Sequence, residues 1–201
     1  IGLGLSTEKD ISLRGMEIIK SCDLIYLENY TSLLQKSIES LEKVYQKKVI
    51  LADRKTAEQL DEKIVEAAKT KNVAFLIIGD PVAATTHIEL FKLAKEKGVP
   101  VQIIHNASIL TAIGTTGLQL YKFGRTTSIP FVEDVPELET PYLIYRENSL
   151  LEMHTLFLLD LKPELNKYMT VNQAIEILEA IEARKRERII TKDTLVVGCA
   201  R

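Results

Sequence analysis

Five short stretches hold most of the residues able to do chemistry, and each sits at the end of an apolar run. Glu28-Asn29-Tyr30-Thr31-Ser32 follows residues 24–27, Gly79-Asp80-Pro81-Val82-Ala83 follows 73–78, and His105-Asn106-Ala107-Ser108-Ile109 follows 101–104. Gly4-Leu5 closes an opening stub, and Leu159-Asp160 ends a later run. They supply hydroxyls, backbone amides and small side chains, with few charges. Such a set suits a neutral or cationic ligand with a flat base and sugar hydroxyls better than a polyphosphate. Gly79 permits a tight turn and a close backbone approach, while Pro81 fixes the exit and donates no N–H. Asp80 is then expected at a crevice rim, near the free N–H groups of the helix that follows. A plain strand-to-helix turn with an Asp cap is the other reading of the same residues.

Other chemistries lack their residues. Gly2-x-Gly4 has no third glycine, as GLGLST shows, so it is only a fragment of a dinucleotide fingerprint. There is no Gly-x-x-x-x-Gly-Lys-Ser/Thr phosphate loop, no Gly-x-Ser-x-Gly elbow and no His-Glu-x-x-His zinc pair. His87, His105 and His154 are dispersed. His87, one turn into an expected helix, and His154, before a buried strand, read as structural; His105 ends a strand beside the expected crevice. Cys22 and Cys199 are far apart and lack metal-ligand spacing, so they read as buried thiols of a reducing, cytoplasmic compartment.

The elements that must position these residues follow from the pattern of the chain. Its 201 residues, 46% apolar and 27% charged, allow one large or two small globular domains. A formal charge of −2 gives no electrostatic case for nucleic acid or an anionic membrane. No apolar run reaches the roughly 18 residues of a membrane span, and no signal peptide is visible. The first residue is Ile1 rather than Met, and strand-like runs stand at both ends, so further residues are expected beyond them, including a second domain incomplete at its C-terminal end.

Strand and helix signals alternate. Strands are expected at 1–5, 24–27, 49–51, 73–78 and 101–104, with helices at 11–21, 33–45, 57–70, 86–97 and about 108–113. The run at 73–78 has no apolar/polar alternation, which predicts a strand buried on both faces. Alternation of this kind implies βαβ units and a mainly parallel sheet, with ligands outside the carboxyl ends of the strands. After about residue 114 the chain becomes turn-rich. An acidic, proline-bearing loop is expected at 133–141, strands at 128–131, 155–161 and 194–201, and helices at 142–150 and 171–185. The predicted fold class is therefore α/β, with a first α/β domain at 1–114, mainly parallel, and a second at 115–201.

Several stretches also carry a resemblance: Ile1-Gly-Leu-Gly-Leu5, Tyr30-Thr-Ser32, Gly79-Asp-Pro-Val-Ala-Ala-Thr-Thr-His87 and His105-Asn-Ala-Ser-Ile109. Further along stand Gly117-Leu-Gln-Leu-Tyr-Lys-Phe-Gly124, His154-Thr-Leu-Phe-Leu-Leu-Asp160, Tyr168-Met-Thr170 and Asp193-Thr-Leu-Val-Val197. In this order the chain resembles the diphthine synthase family, within the tetrapyrrole-methylase-like class of S-adenosylmethionine enzymes. Gly-Asp-Pro at a strand end belongs to the whole class, whereas Ala-Thr-Thr-His and Leu-Tyr-Lys-Phe-Gly are narrower.

The resemblance implies a mixed sheet in the second domain and an S-adenosylmethionine cleft between the two domains. Leu5, Asp80, Ala83, Ser108, Ile109 and Leu159 would contact the cofactor, and no metal is implied. The implied reaction is repeated methylation of the amino group of a 3-amino-3-carboxypropyl-histidine on translation elongation factor 2. No dedicated proton-transfer residue is expected; Glu28, Tyr30 and His105 are candidates for orienting the acceptor. Two other readings are a corrin or porphyrin methylase of the same fold and a non-catalytic partner-binding domain. A homodimer is the family pattern, with the stripe Leu33, Leu34, Ile38 and Leu41 as a surface for it or as ordinary core.

Overall fold

The computed structural model describes residues 1–28, 37–52, 57–85 and 87–199. The chain divides into two compact units, Ile1–Ala112 and Ile113–Arg201.

The first unit is built on three parallel strands, β1 (Leu24–Glu28), β2 (Ile50–Ala52) and β3 (Val73–Leu76), in the order β2-β1-β3. The opening stub continues the sheet beyond β3. Gly2 bridges Ile77 in parallel, and the Leu3 N–H donates to the Ile77 carbonyl at 2.8 Å. On its other side the Gly2 N–H donates to the Ile104 carbonyl at 2.9 Å, which places 101–104 next in order although no regular strand forms there.

Side-chain alternation explains the unbroken apolar runs. Ile25, Leu27, Ala74 and Leu76 pack with Ile19, Leu41 and Tyr45 on one face, with α1 (Leu13–Ser21) and α2 (Ile38–Tyr45). Tyr26, Val73 and Phe75 lie against Ile64, Val65, Leu90 and Ala94 on the other, with α3 (Ala57–Ala68) and α4 (Ile88–Glu96). Each buried aliphatic side chain contributes about 1.5–3 kcal/mol, so both faces of the sheet are held. Ser12 starts α1 and Ser37 starts α2, each accepting a bond from the backbone N–H three residues on. The short α5 (Ile109–Ala112) completes the unit.

In the second unit β4 (Thr127–Ile129) and β5 (Phe157–Leu159) pair in parallel, while β6 (Leu161–Lys162) and β7 (Lys167–Tyr168) pair antiparallel. The sheet content is mixed, as expected. Ile129, Phe131, Leu138, Met169 and Ala174 form the core beside α6 (Thr140–Leu150) and α7 (Val171–Lys185). The bounds of α7 coincide with those expected, and a reciprocal Thr170–Gln173 capping box marks its start. At its far end the Glu182 carboxylate accepts from the N–H groups of Arg188 (2.7 Å), Ile189 (3.0 Å) and Ile190 (3.0 Å), and from the Tyr142 hydroxyl (3.0 Å). Asn148 is another buried tie. It bonds the Arg125 N–H, the Arg125 carbonyl and the Thr155 hydroxyl, and Gly124 leaves the space it fills.

The strand expected at 194–201 does not form over its described residues, 194–199. Among the described residues no ladder partner lies beside it, and Leu195 is 96% exposed. An apolar run becomes a strand only where another backbone takes its hydrogen bonds. No helix of the described residues is long and apolar enough to cross a membrane.

Candidate functional site

The end of β3 meets the end of the opening stub at two glycines. Gly4 and Gly79 have φ of +79° and +84°, the left-handed region that glycine enters without cost. Each N–H donates to the other's carbonyl, at 3.2 Å from Gly4 and 2.8 Å from Gly79. Leu5 is thereby set directly beside the turn that carries Asp80.

Asp80 is 7% exposed, and its carboxylate is met by three donors. Oδ1 accepts from the Val82 N–H at 2.9 Å; Oδ2 accepts from the Asn106 N–H at 3.0 Å and the His105 Nδ1 at 2.9 Å. Burial pushes its pKa up, but the two backbone amides and the ring outweigh it and leave the carboxyl below its ordinary value. The expected helix cap is corrected in one respect. The helix after the turn starts only at Ile88, so Asp80 closes an Asx turn on Val82 and reaches across to the next strand end instead. One acceptor position on Oδ1 is not used by these three bonds.

The remaining residues of the first unit gather around this carboxylate. Ala83 donates its N–H to the Asp80 carbonyl at 3.3 Å and is half-buried. Ala84, next in line, holds φ at +55°, a conformation rarely adopted by alanine. Ser108 is 6% exposed; its Oγ accepts from the Leu110 N–H at 3.2 Å, and its carbonyl accepts from Thr111 and Ala112, which starts α5 at Ile109. The stub, the Gly-Asp-Pro turn and the 105–109 junction therefore share one locality, and Leu5, Asp80, Ala83, Ser108 and Ile109 are brought together there. Leu159 lies half-buried at the end of β5 in the second unit, in register with Ile129.

The other candidates separate by burial. His105 has 66% of its side chain exposed, and because an ionised carboxylate only accepts, its Nδ1 carries the proton shared with Asp80. Glu28, wholly buried, closes the tip of β1. Tyr30 lies outside the described residues, as do Leu33 and Leu34. Leu41 is fully buried in the core, so that part of the apolar stripe is intradomain packing. His87 is buried, stacks edge-on with Phe75 at 5.2 Å and pairs through Nδ1 with the Thr85 hydroxyl. Burial pushes its pKa down to about 4, the state of a neutral structural histidine. His154 packs edge-on against Phe123 at 5.3 Å.

Sequence reasoning passed over Asn106 as part of a helix start and did not single out Asp10. The clue was Gly2, whose missing side chain leaves room for the Gly79 carbonyl and for Asn106. Two surface hollows of the first unit, about 360 Å³ beside α2 and about 650 Å³ at the end of α4, involve none of these residues. Among the described residues, no three His, Cys, Asp or Glu side chains stand close enough to hold a metal ion.

Residues 1–195 match the Tetrapyrrole (Corrin/Porphyrin) Methylases, and the chain belongs to that family of methyltransferases. Within it the likeness is to diphthine synthases. The whole chain is 46% identical to the diphthine synthase of Methanococcus aeolicus, spanning 78% of that protein. It is 44% identical to the diphthine methyl ester synthase of Dictyostelium discoideum, spanning 80%. A solved structure of a diphthine synthase superposes with a TM-score of 0.84 at 39% identity, over 92% of this chain and 71% of that one.

Proposed function

We propose that this methyltransferase acts in diphthamide biosynthesis. Its acceptor is the amino nitrogen of a 3-amino-3-carboxypropyl-modified histidine on translation elongation factor 2, methylated repeatedly to give diphthine. The observation that carries the reading is the convergence of the Leu5, Asp80–Ala83 and Ser108-Ile109 segments, in a chain 46% identical to a diphthine synthase. The methyl donor is S-adenosylmethionine, whose sulfonium supplies the transferred group. The residues fit it: a buried carboxylate with one acceptor position left suits a ribose hydroxyl or the amino-acid ammonium. Leu5, Ala83 and Ile109 offer apolar contact, and Ser108 lies at a strand–helix junction. The family resemblance also implies Leu159 as a cofactor contact. The enzyme works as a cytoplasmic homodimer, in keeping with the family pattern.

Positioning dominates the chemistry. An α-amino-like acceptor has a pKa near 8, so roughly a tenth is already neutral at pH 7. Raising that fraction to unity is worth only about 1.4 kcal/mol, whereas orienting amine and sulfonium supplies about 7–11 kcal/mol. No dedicated base is needed. His105, exposed beside Asp80, orients the acceptor, and Glu28 and Tyr30 are the other candidates the sequence offers for that role.

Calorimetric titration with S-adenosylhomocysteine, followed by methyl transfer to modified elongation factor 2, tests the reading. One binding site per chain and methylated factor are expected. Absence of binding, or transfer to a corrin or porphyrin instead of the factor, overturns it.

A further inference from the structure

We infer that Asn106 is the positioning residue that locks the Leu5 loop and the Asp80 turn into a single cofactor-ready geometry; this rests on the cofactor reading above. Asn106 uses all three of its N–H donors to tie separate segments together. Its backbone N–H donates to Asp80 Oδ2 at 3.0 Å. The two hydrogens of its side-chain amide go to different carbonyls, Gly2 at 3.0 Å and Asp10 at 3.0 Å, and its Oδ1 accepts from the Ala107 N–H at 2.8 Å. Asp10 in turn folds the loop behind Leu5, its Oδ2 accepting from Ser6 at 2.7 Å and Thr7 at 2.8 Å.

The glycines give a second, independent observation. A Cβ on Gly2 would stand 2.8 Å from the Asn106 Cβ, and a Cβ on Gly4 would stand 2.9 Å from the Asp10 Cβ and 3.2 Å from the Asn106 Oδ1. The Gly2-x-Gly4 spacing therefore clears room for the Gly79 carbonyl, Asn106 and Asp10 together.

Only an amide of this length serves. Aspartate would set an oxygen against two carbonyls and add charge beside Asp80; alanine would free both carbonyls. The stub and the turn would then have to be ordered at the moment of binding, and that cost falls on affinity. Asn106 acts through Leu5 and Asp80, so its loss shows in cofactor binding and not in the rate once the site is filled.

The test is Asn106→Asp and Asn106→Ala in the intact protein, titrated calorimetrically with S-adenosylhomocysteine and assayed at saturating S-adenosylmethionine. Kd is expected to rise about 10- to 100-fold, with one site per chain retained and kcat within about threefold. A lowered Tm or a reduced number of sites with Kd unchanged makes Asn106 mere scaffold and overturns the inference. So does a loss of kcat with Kd unchanged. If the Asn106 variants do not fold, Asp10→Ala, at an exposed position, is expected to raise Kd about 3- to 10-fold, and an unchanged Kd is equally fatal. Unsubstituted protein that binds no S-adenosylhomocysteine overturns the cofactor reading itself, and this inference with it.

Discussion

Asp80 and Glu182 are two carboxylates cradled by backbone amides and one side-chain donor, one in each unit. Asp80 takes the N–H groups of Val82 and Asn106 and the ring of an exposed histidine. Glu182 takes three consecutive N–H groups and the hydroxyl of the buried Tyr142, whose pKa burial and then Glu182 push up to about 12. The Ile190 amide leads in holding the Glu182 carboxyl below its ordinary value, against the opposing effect of burial. The Glu182 cradle is spent on local shape: it ends a helix and turns the chain. The Asp80 cradle joins residues far apart in sequence and still has an acceptor position to offer. The same chemistry thus makes a staple in one place and, on the proposed reading, a cofactor-binding group in the other; Glu182 Oε1 likewise accepts a single bond, so the setting, at one helix end or among distant chain segments, distinguishes them.

That contrast can be broken most decisively at the two carboxylates. Asp80→Ala is expected to weaken S-adenosylhomocysteine binding by more than about 100-fold, because it strands two amides and removes the acceptor. Glu182→Ala should leave that Kd unaltered and lower Tm instead. Comparable affinity losses from both substitutions would erase the distinction.

Glycines extend the comparison at somewhat smaller cost. A Cβ on Gly2 would sit 2.6 Å from the Gly79 carbonyl oxygen, and one on Gly124 would sit 2.2 Å from the Asn148 Oδ1. Gly2→Ala and Gly124→Ala should each cost about 1–3 kcal/mol, a Tm drop of roughly 2–12 °C by thermal unfolding. Only the Gly2 variant should also lose cofactor affinity.

His105 probes the exposed partner of the Asp80 cradle. His105→Ala is expected to raise the acceptor KM about 3- to 10-fold while kcat stays within about threefold. A 100-fold loss of kcat at saturating substrates would make it a proton-transfer group.

The smallest effect lies in the acid limb of stability. A carboxyl whose folded pKa is depressed adds stability that is complete above its unfolded value, about 4.3 for glutamate, and lost as pH falls through the folded value. Glu182→Gln should therefore lower Tm at pH 7 by about 2–8 °C, from roughly 1–2 kcal/mol at this half-exposed site. The gap should close below about pH 4; a gap of constant size across pH 3–7 would mean that the charge contributes nothing.

Much of this was legible before any coordinates. The unbroken run at 73–78 announced a strand covered on both faces, and the two helix layers over Ala74/Leu76 and Val73/Phe75 are its cause. Turn chemistry at Gly79-Asp80-Pro81 pointed to Asp80, which the fold holds buried where the opening stub meets the end of β3. Boundaries were less legible where a partner decides the outcome. Residues 101–104 and 194–197 have strand composition, yet regular pairing depends on neighbours that composition does not encode. Asn106 was hidden for a related reason. Its importance comes from bonds to Gly2 and Asp10, and no local pattern announces a contact across a hundred residues.

That distance has a consequence for how the protein is made. The tie between Gly2 and Asn106 spans 104 positions. At a synthesis rate of roughly 5–20 residues per second, the opening segment waits about 5–20 s after its own synthesis before the residue that clasps it exists. During that interval only its Ile77 side can find a mate, and the edge that meets Ile104 stays open. The ribosome-bound chain should therefore be most vulnerable to chaperone capture and to edge-to-edge sticking just before Asn106 leaves the exit tunnel.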